Sequence, residues 1–521
     1  MTKKNKVIHF SILGIIILLA IIVRVWNIDS VPSGIYPDEA NNGTNAYDAQ
    51  LTDDYQWFYP DNNGREGLYL NFMALTFKFF DVSILTLKLP SIIMGVLTVI
   101  GVYFLSRELF ISKPRLALIA SYLTAVSFWA INFSRIAFRA IMMLPILTFS
   151  FYFIFRGIRT NKWWNFALAG FIFGLGFHSY IAFRIAPVLL VVLFVLLLLQ
   201  YGTQLFKQHW KDALIFILFT IISAFPIFYT LNAHPELLNA RTGDVSIFAN
   251  SEDGLATTLT HTVTTSLLKF NIYGDQNWRH GFPPHPTLES FVGIMFVGGI
   301  ALSTIIFFLY LYRRFFKKIH NRKLVTHGLL LAWFFAFLAP EFLTVEGLPH
   351  SLRSIGVLPV VYIFAAFFIN FLIERAQKYS HTAYVIMSVI MLAFLLCSGF
   401  INIIKYHVFW ATDVHQAQAF NKSLTDIARH VETLPTETKK YIIAGPIQRL
   451  PIKLLNETTP NLHFLYEDEI DNIDTTKDFY ILMSDKKDGV TNNLSNKITI
   501  TVDTIKTNLD TEFIIIKHIQ Q

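Results

Sequence analysis

The sequence predicts a mainly α protein: a polytopic membrane bundle of about 11 transmembrane helices followed by a small α/β soluble domain at the C-terminal end. Three observations predict it. Of 521 residues, 53% are hydrophobic and only 15% charged, too few charges to coat a soluble globule of this size. Eleven apolar runs are each long enough to cross a bilayer as a helix, the one conformation besides a closed barrel that satisfies its own backbone there. From residue 407 onward the pattern turns charged, with short β-rich pieces.

The spans are expected near residues 8–26, 88–106, 116–133, 140–157, 163–180, 182–200, 212–231, 290–312, 325–343, 354–373 and 382–404. The first is read as an anchor, because no small-residue cleavage site follows Trp26. The stretch 67–80 is short and carries Asn71 and Lys78, so an interfacial helix is expected there instead of a crossing. Loop charge gives an independent check. With the N-terminus inside, the inner segments 107–115, 156–162, 201–211, 313–323 and 374–378, together with Lys3, Lys4 and Lys6, hold 19 Lys/Arg. The much longer outer segments hold nine, so the positive-inside rule places the N-terminus in the cytoplasm and the C-terminal domain outside it, in a multi-pass plasma membrane protein. Counting 67–80 as a span would put the basic loops outside.

Two domains follow: a transmembrane domain over 1–406, with long outer loops at 27–87 and 232–289, and the extracytoplasmic domain over 407–521. Outer loops of this length are large enough to fold over a site at the membrane surface. In the tail a helix is expected near 414–433 and strands at 440–443, 478–483, 498–502 and 512–517. The net charge of +7 comes from clusters between apolar runs, which are topology signals and headgroup contacts, so no nucleic acid partner is expected. Cys397 is the single cysteine, which rules out an intrachain disulfide.

The chain lacks a Walker-type phosphate loop, a dinucleotide glycine fingerprint, an HExxH pair and paired CxxC motifs, so ATP-driven transport, hydride transfer and zinc proteolysis lose support. What remains is a set of acids, arginines and histidines at the outer interface. Asp38 and Glu39 follow Pro37, where they can open a helix whose positive end favours them. Arg135, Arg139, Arg184 and Arg353 sit at outer ends of spans, where the positive-inside rule disfavours them and where guanidinium forks suit phosphate. One such arginine is explained by snorkelling to headgroups; four beside an acidic pair point to an anionic lipid head held near a general base. The second outer loop adds Asp275, Asn277, Trp278, Arg279 and His280, with Trp278 suited to stack on a sugar or to sit in an interfacial belt. His178, His280, His285 and His350 match no short zinc spacing, so no metal ligands are assigned and interfacial hydrogen bonding is the expected role.

The strings Tyr36-Pro-Asp-Glu-Ala40, Phe133-Ser-Arg-Ile-Ala-Phe-Arg139, Gly274-Asp-Gln-Asn-Trp-Arg-His280 and Leu348-Pro-His-Ser-Leu-Arg-Ser-Ile-Gly356 resemble the GT-C superfamily of membrane glycosyltransferases. The similarity is to the branch of protein O-mannosyltransferases and lipid A aminoarabinose transferases, and it covers about residues 8–405. It implies a polyprenyl-phosphate sugar as donor and inverting transfer to a hydroxyl at the outer face, on an acceptor protein, lipid or cell-wall glycan. Asp38, or failing it Glu39, would then be the general base. Arg184 and Arg353 would hold the lipid phosphate, supported by Arg135, Arg139 and His350, with His178 and the Asp275–His280 string at the substrate. No cofactor is required by these residues, although some members of the superfamily place a divalent metal near the acidic pair. No large carbohydrate-like insertion occurs in the second outer loop, which leaves a protein acceptor open. The rival class is a secondary transporter or flippase of a lipid-linked or anionic substrate, which should place its polar groups at mid-bilayer in broken helices.

Overall fold

The computed structural model describes residues 3–235, 247 and 248, and 254–519. Part of the second outer loop, 236–246 and 249–253, lies outside the described residues. Chain contacts divide the protein into two units. One comprises Met1–Trp26, Gln56–Tyr69 and Pro90–Tyr406, and the other Asn27–Tyr55, Leu70–Leu89 and His407–Gln521.

The first unit is a helical bundle. Among the described residues nine helices, from Lys4–Val25 to His381–Trp410, are long and apolar enough to cross a membrane. The other two expected spans are shorter helices. The stretch 116–133 becomes Pro114–Val126 and Phe128–Phe133, separated at Ser127, whose extended backbone ends the first while its hydroxyl caps the Ala130 amide at 3.2 Å. The stretch 163–180 becomes Trp163–Leu175 followed by a 3₁₀ turn over Gly176–His178. This short helix packs tightly on Thr203–Ala233 through Gly170 and Gly174. A Cβ on either would come within 2.4 Å of a carbonyl oxygen of Phe216 or Thr220, so only glycine permits the approach. The helix Leu358–Tyr379 is the most enclosed span, with 83% of its apolar window buried. It lies against Ser290–Lys317, His381–Ile404 and Pro114–Val126. The segment near 67–80 forms Leu68–Phe79, 12 residues and about 18 Å long, too short for a crossing. Just before it, β1 (Phe58–Tyr59) pairs antiparallel with β2 (Arg65–Glu66).

The second unit is built on a five-stranded sheet of β3 (Lys439–Ile443), β4 (Leu462–Leu465), β5 (Phe479–Met483), β6 (Thr501–Lys506) and β7 (Glu512–His518). The strand order is β4-β3-β5-β7-β6, with β3 parallel to β4 and β5, and β7 antiparallel to β5 and β6. Alternation along the strands fills two cores. Tyr441, Ile443, Ile481, Met483, Ile514 and Ile516 face Val490 and Leu494. Ile442, Leu482, Phe513 and Ile515 face Leu424, Ile427, Val431 and Ile452. The helix expected at 414–433 breaks into Val414–Ala419 and Lys422–Thr433, because Asn421 takes a left-handed backbone with φ of 48°. On this unit rests the helix Pro37–Thr52, packed on Pro446–Leu455, with Gly43 against the Leu454 side chain.

Candidate active site

The acidic pair occupies the first turn of Pro37–Thr52, with Pro37 opening the helix after extended Tyr36. There the helix N-terminus favours both carboxylates. Asp38 is half-buried and Glu39 fully buried. The entry to the helix is fixed by its own unit: the Ile35 amide donates to the Thr425 hydroxyl at 3.0 Å, and Gly34 lies so close to the backbone of Phe420 and Lys422 that a Cβ would meet it at 2.5 Å. The chain leading to Asp38 is thus set by the C-terminal domain.

In the helical unit the second outer loop and the 343–354 turn build one polar cluster. Asp275 is buried, and its Oδ1 accepts the Asn277 amide at 2.9 Å in a local turn. Its Oδ2 accepts the Ser351 amide at 2.6 Å and lies 3.5 Å from Nδ1 of His280. The His280 and His350 rings face each other at 4.8 Å, and His280 is stacked on Phe133 at 5.7 Å. Asn277 Oδ1 accepts both the amide and Nε of Arg279 at 3.0 Å, while the Arg279 carbonyl accepts from the Asn132 amide group at 2.8 Å. Trp278 packs against Phe282 in a tilted arrangement, ring centroids 5.4 Å apart.

Beneath this layer lies a fully buried ion pair that sequence reasoning missed. Lys269, at the end of Leu255–Leu268, pairs with Glu341 near the end of Lys323–Phe342, and both side chains have 0% exposure. Glu341 Oε1 accepts the His350 amide at 2.9 Å. Lys269 also donates to the Ser354 hydroxyl, which in turn donates to the His350 carbonyl at 3.1 Å. The pair therefore grips the His350 backbone from both sides. Its signal in the sequence is an acid inside an otherwise apolar predicted span, a position that needs a partner.

Arg353 in the same turn is held by its neighbours: Thr344 Oγ1 accepts its guanidinium at 2.8 Å and the Glu346 carbonyl and carboxylate accept it at 2.6 and 3.2 Å. The other predicted residues sit elsewhere in the unit. Arg139 pairs with Glu66 at 2.6 Å, both nearly buried, and lies over the Tyr180 ring. Arg135 is fully buried, its guanidinium donating to the carbonyls of Val23 and Arg24 at 3.2 and 2.8 Å, where it caps the end of the first span. His178 is buried with Nε2 on the Ser223 carbonyl at 2.8 Å, beside Trp57. Arg184 is exposed, in the 3₁₀ turn Ile181–Ile185.

Burial alone would raise the Asp275 carboxyl, but the neighbouring His280 imidazole, 3.5 Å away, and the Ser351 amide outweigh it and hold the carboxyl below its usual range. Burial and the neighbouring His280 push His350 well below an ordinary imidazole, so it is neutral at pH 7. The ligand atoms of Asp275, His280 and His350 all lie within 4.8 Å of one another. Two imidazoles and a carboxylate in such a group are a fitting donor set for a divalent cation. Spacing along the chain assigns no metal ligands. It could not register a triad assembled from two loops 70 residues apart.

Residues 68–228 match the dolichyl-phosphate-mannose-protein mannosyltransferase family. The structure is similar to that of ArnT from Cupriavidus metallidurans bound to undecaprenyl phosphate, with a TM-score of 0.57 over 99% of this chain and 98% of that one at 11% identity. The chain has the GT-C fold. The same fold relates it to the oligosaccharyltransferase of Archaeoglobus fulgidus, with a TM-score of 0.50 and 15% identity over 89% of this chain. The chain spans 65% of the length of that archaeal protein, which has also been solved tethered to an acceptor peptide containing the NVT sequon. No curated protein matches the chain in sequence. The GT-C fold accounts for the apolar helices and for the small sheet domain that follows them.

Proposed function

We propose that the protein is an integral membrane glycosyltransferase that moves a sugar from a polyprenyl-phosphate donor to an acceptor hydroxyl on the extracytoplasmic face, with inversion. The observation that carries this reading is the likeness to ArnT along nearly the whole of both chains, that protein having been solved with undecaprenyl phosphate. The residue chemistry supports it. Asp38, at the start of its helix, takes the proton of the attacking hydroxyl, with Glu39 buried beside it. The departing lipid phosphate is already a stable anion and needs charge stabilisation more than a strong acid, a task suited to Arg184 and Arg353. Asn277, Trp278 and Arg279, presented on the Asp275 turn, offer polar and aromatic contacts to the sugar. A divalent cation held by Asp275, His280 and His350 would supply fixed positive charge to the outer loop.

The test is to purify the protein, supply polyprenyl-phosphate sugars and follow sugar transfer, with mass spectrometry of co-purified lipid to name the donor. Asp38→Asn is expected to lower transfer about 10²- to 10⁴-fold while leaving the melting temperature unchanged. Solute uptake into vesicles without any sugar transfer would sink the reading in favour of a transporter.

A further inference from the structure

At the end of the bundle remote from this cluster the structure holds a cavity of about 410 Å³. It opens between the C-terminal end of Ile84–Leu109, the start of Lys323–Phe342 and the last turns of Leu358–Tyr379. Thr326 lines it and Glu341 belongs to the outer cluster, so 15 residues of one helix, about 22 Å, separate the two places. The site is therefore distinct from the proposed reaction centre.

Its chemistry is two-sided. Phe110 and Phe367, stacked at 5.4 Å and buried, make an apolar floor, continued by Ile306 and Phe371. The rim is basic. Lys113 is neutralised by Glu374 at 2.5 Å, and Glu108, the acid nearest Arg322 at 3.6 Å, is already bound through both oxygens by Arg159. Lys323, Arg375 and Lys378 have no acid within ion-pair distance among the described residues. Positive charge is thus left over around a pocket whose wall is hydrocarbon-like, and the pocket has the size of ordinary small-ligand sites.

We propose that this cavity binds an acidic phospholipid, its phosphate gripped by Arg322, Lys323, Arg375 and Lys378 and its acyl chain laid on Phe110, Phe367 and Ile306. An anion alone would satisfy the rim and leave the floor wet; a phospholipid satisfies both. The basic ends of the three helices are also the ends that loop charge assigns to the cytoplasmic leaflet, where anionic lipids concentrate.

The test uses the full chain in nanodiscs of phosphatidylcholine with a minor share of phosphatidylglycerol, followed by native mass spectrometry of retained lipid. The variant is Arg375→Gln with Lys378→Gln. Both side chains are exposed, and the change leaves the Lys113–Glu374 and Arg159–Glu108 pairs in place. Retained phosphatidylglycerol is expected to fall about fivefold for each charge removed, with the melting temperature in pure phosphatidylcholine unchanged. Equal retention by variant and wild type would overturn the proposal. Inorganic phosphate at matched concentration should displace little of the lipid, because it lacks the acyl contact; full displacement would make this a free-anion site and overturn the lipid assignment.

Discussion

Arg353 and Arg184 are both candidates for the lipid phosphate, yet they stand differently. Arg353 is held by Thr344 and Glu346, so its guanidinium is fixed in place, whereas Arg184 is exposed. Replacing either by lysine keeps the charge but removes the fork. Arg353→Lys is therefore expected to raise KM for the donor about tenfold, a loss of about 1.4 kcal/mol. Steady-state kinetics against donor concentration reads this, and an unchanged KM would remove Arg353 from the phosphate. The Asp275–His280–His350 group makes a separate prediction. Zn²⁺ or Mn²⁺ at about 100 times its Kd should stabilise the protein by about 2.7 kcal/mol, seen as a higher melting temperature. His280→Ala with His350→Ala should erase that shift; its survival in the double variant would place the cation elsewhere.

The Lys269–Glu341 pair ties together the helices Leu255–Leu268 and Lys323–Phe342 and the turn that carries His350. Removing one partner leaves a buried charge alone. Glu341→Gln or Lys269→Met should therefore destabilise the bundle by about 3–5 kcal/mol, while the double change, which leaves no buried charge without its partner, should cost clearly less. Unfolding in graded denaturing detergent separates these outcomes, and a double-variant loss equal to the sum of the two single losses would show that the pair is not coupled. The same turn has a pH signature. The folded protein holds His350 well below its ordinary value of 6.5, so between that value and the lower folded one the unfolded chain binds more protons. Stability should accordingly fall as pH drops below about 6.5 in chelator-treated protein, and His350→Gln should flatten that slope. Asp275, held below 3.8, adds its own loss only at more acid pH, as pH falls through its folded value.

For the whole molecule the decisive question is orientation. Loop charge predicts that the N-terminal lysines lie inside and the sheet domain outside, the side on which we propose that the chemistry takes place. Protease added to intact right-side-out vesicles should digest residues beyond about 407 and spare an N-terminal tag; the reverse pattern would invert the chain and the proposed face of transfer with it. The unit boundaries also bear on function. The C-terminal sheet domain and the helix bearing Asp38 and Glu39 form one compact unit, so destabilising the sheet, for example with Ile515→Asn, is expected to disturb the acidic pair as well as the tail.

How much of this was legible in the chain follows from which forces are local. Apolar run length, loop charge and strand alternation each depend on a few neighbouring residues. They therefore located the nine long apolar helices seen among the described residues, the late sheet domain and the helix that carries Asp38, all without coordinates, while the two remaining expected spans form shorter, interrupted helices. The strand Leu462–Leu465 escaped notice because it is a short, partly exposed edge whose partner Lys439–Ile443 lies some twenty residues away. The Lys269–Glu341 pair, the gathering of Asp275, His280 and His350, and the capping of the first span by Arg135 were decided by tertiary structure alone. Each requires side chains remote along the chain to share a low-dielectric space, where hydrogen bonds and charge choose partners by distance in three dimensions, something no local pattern encodes.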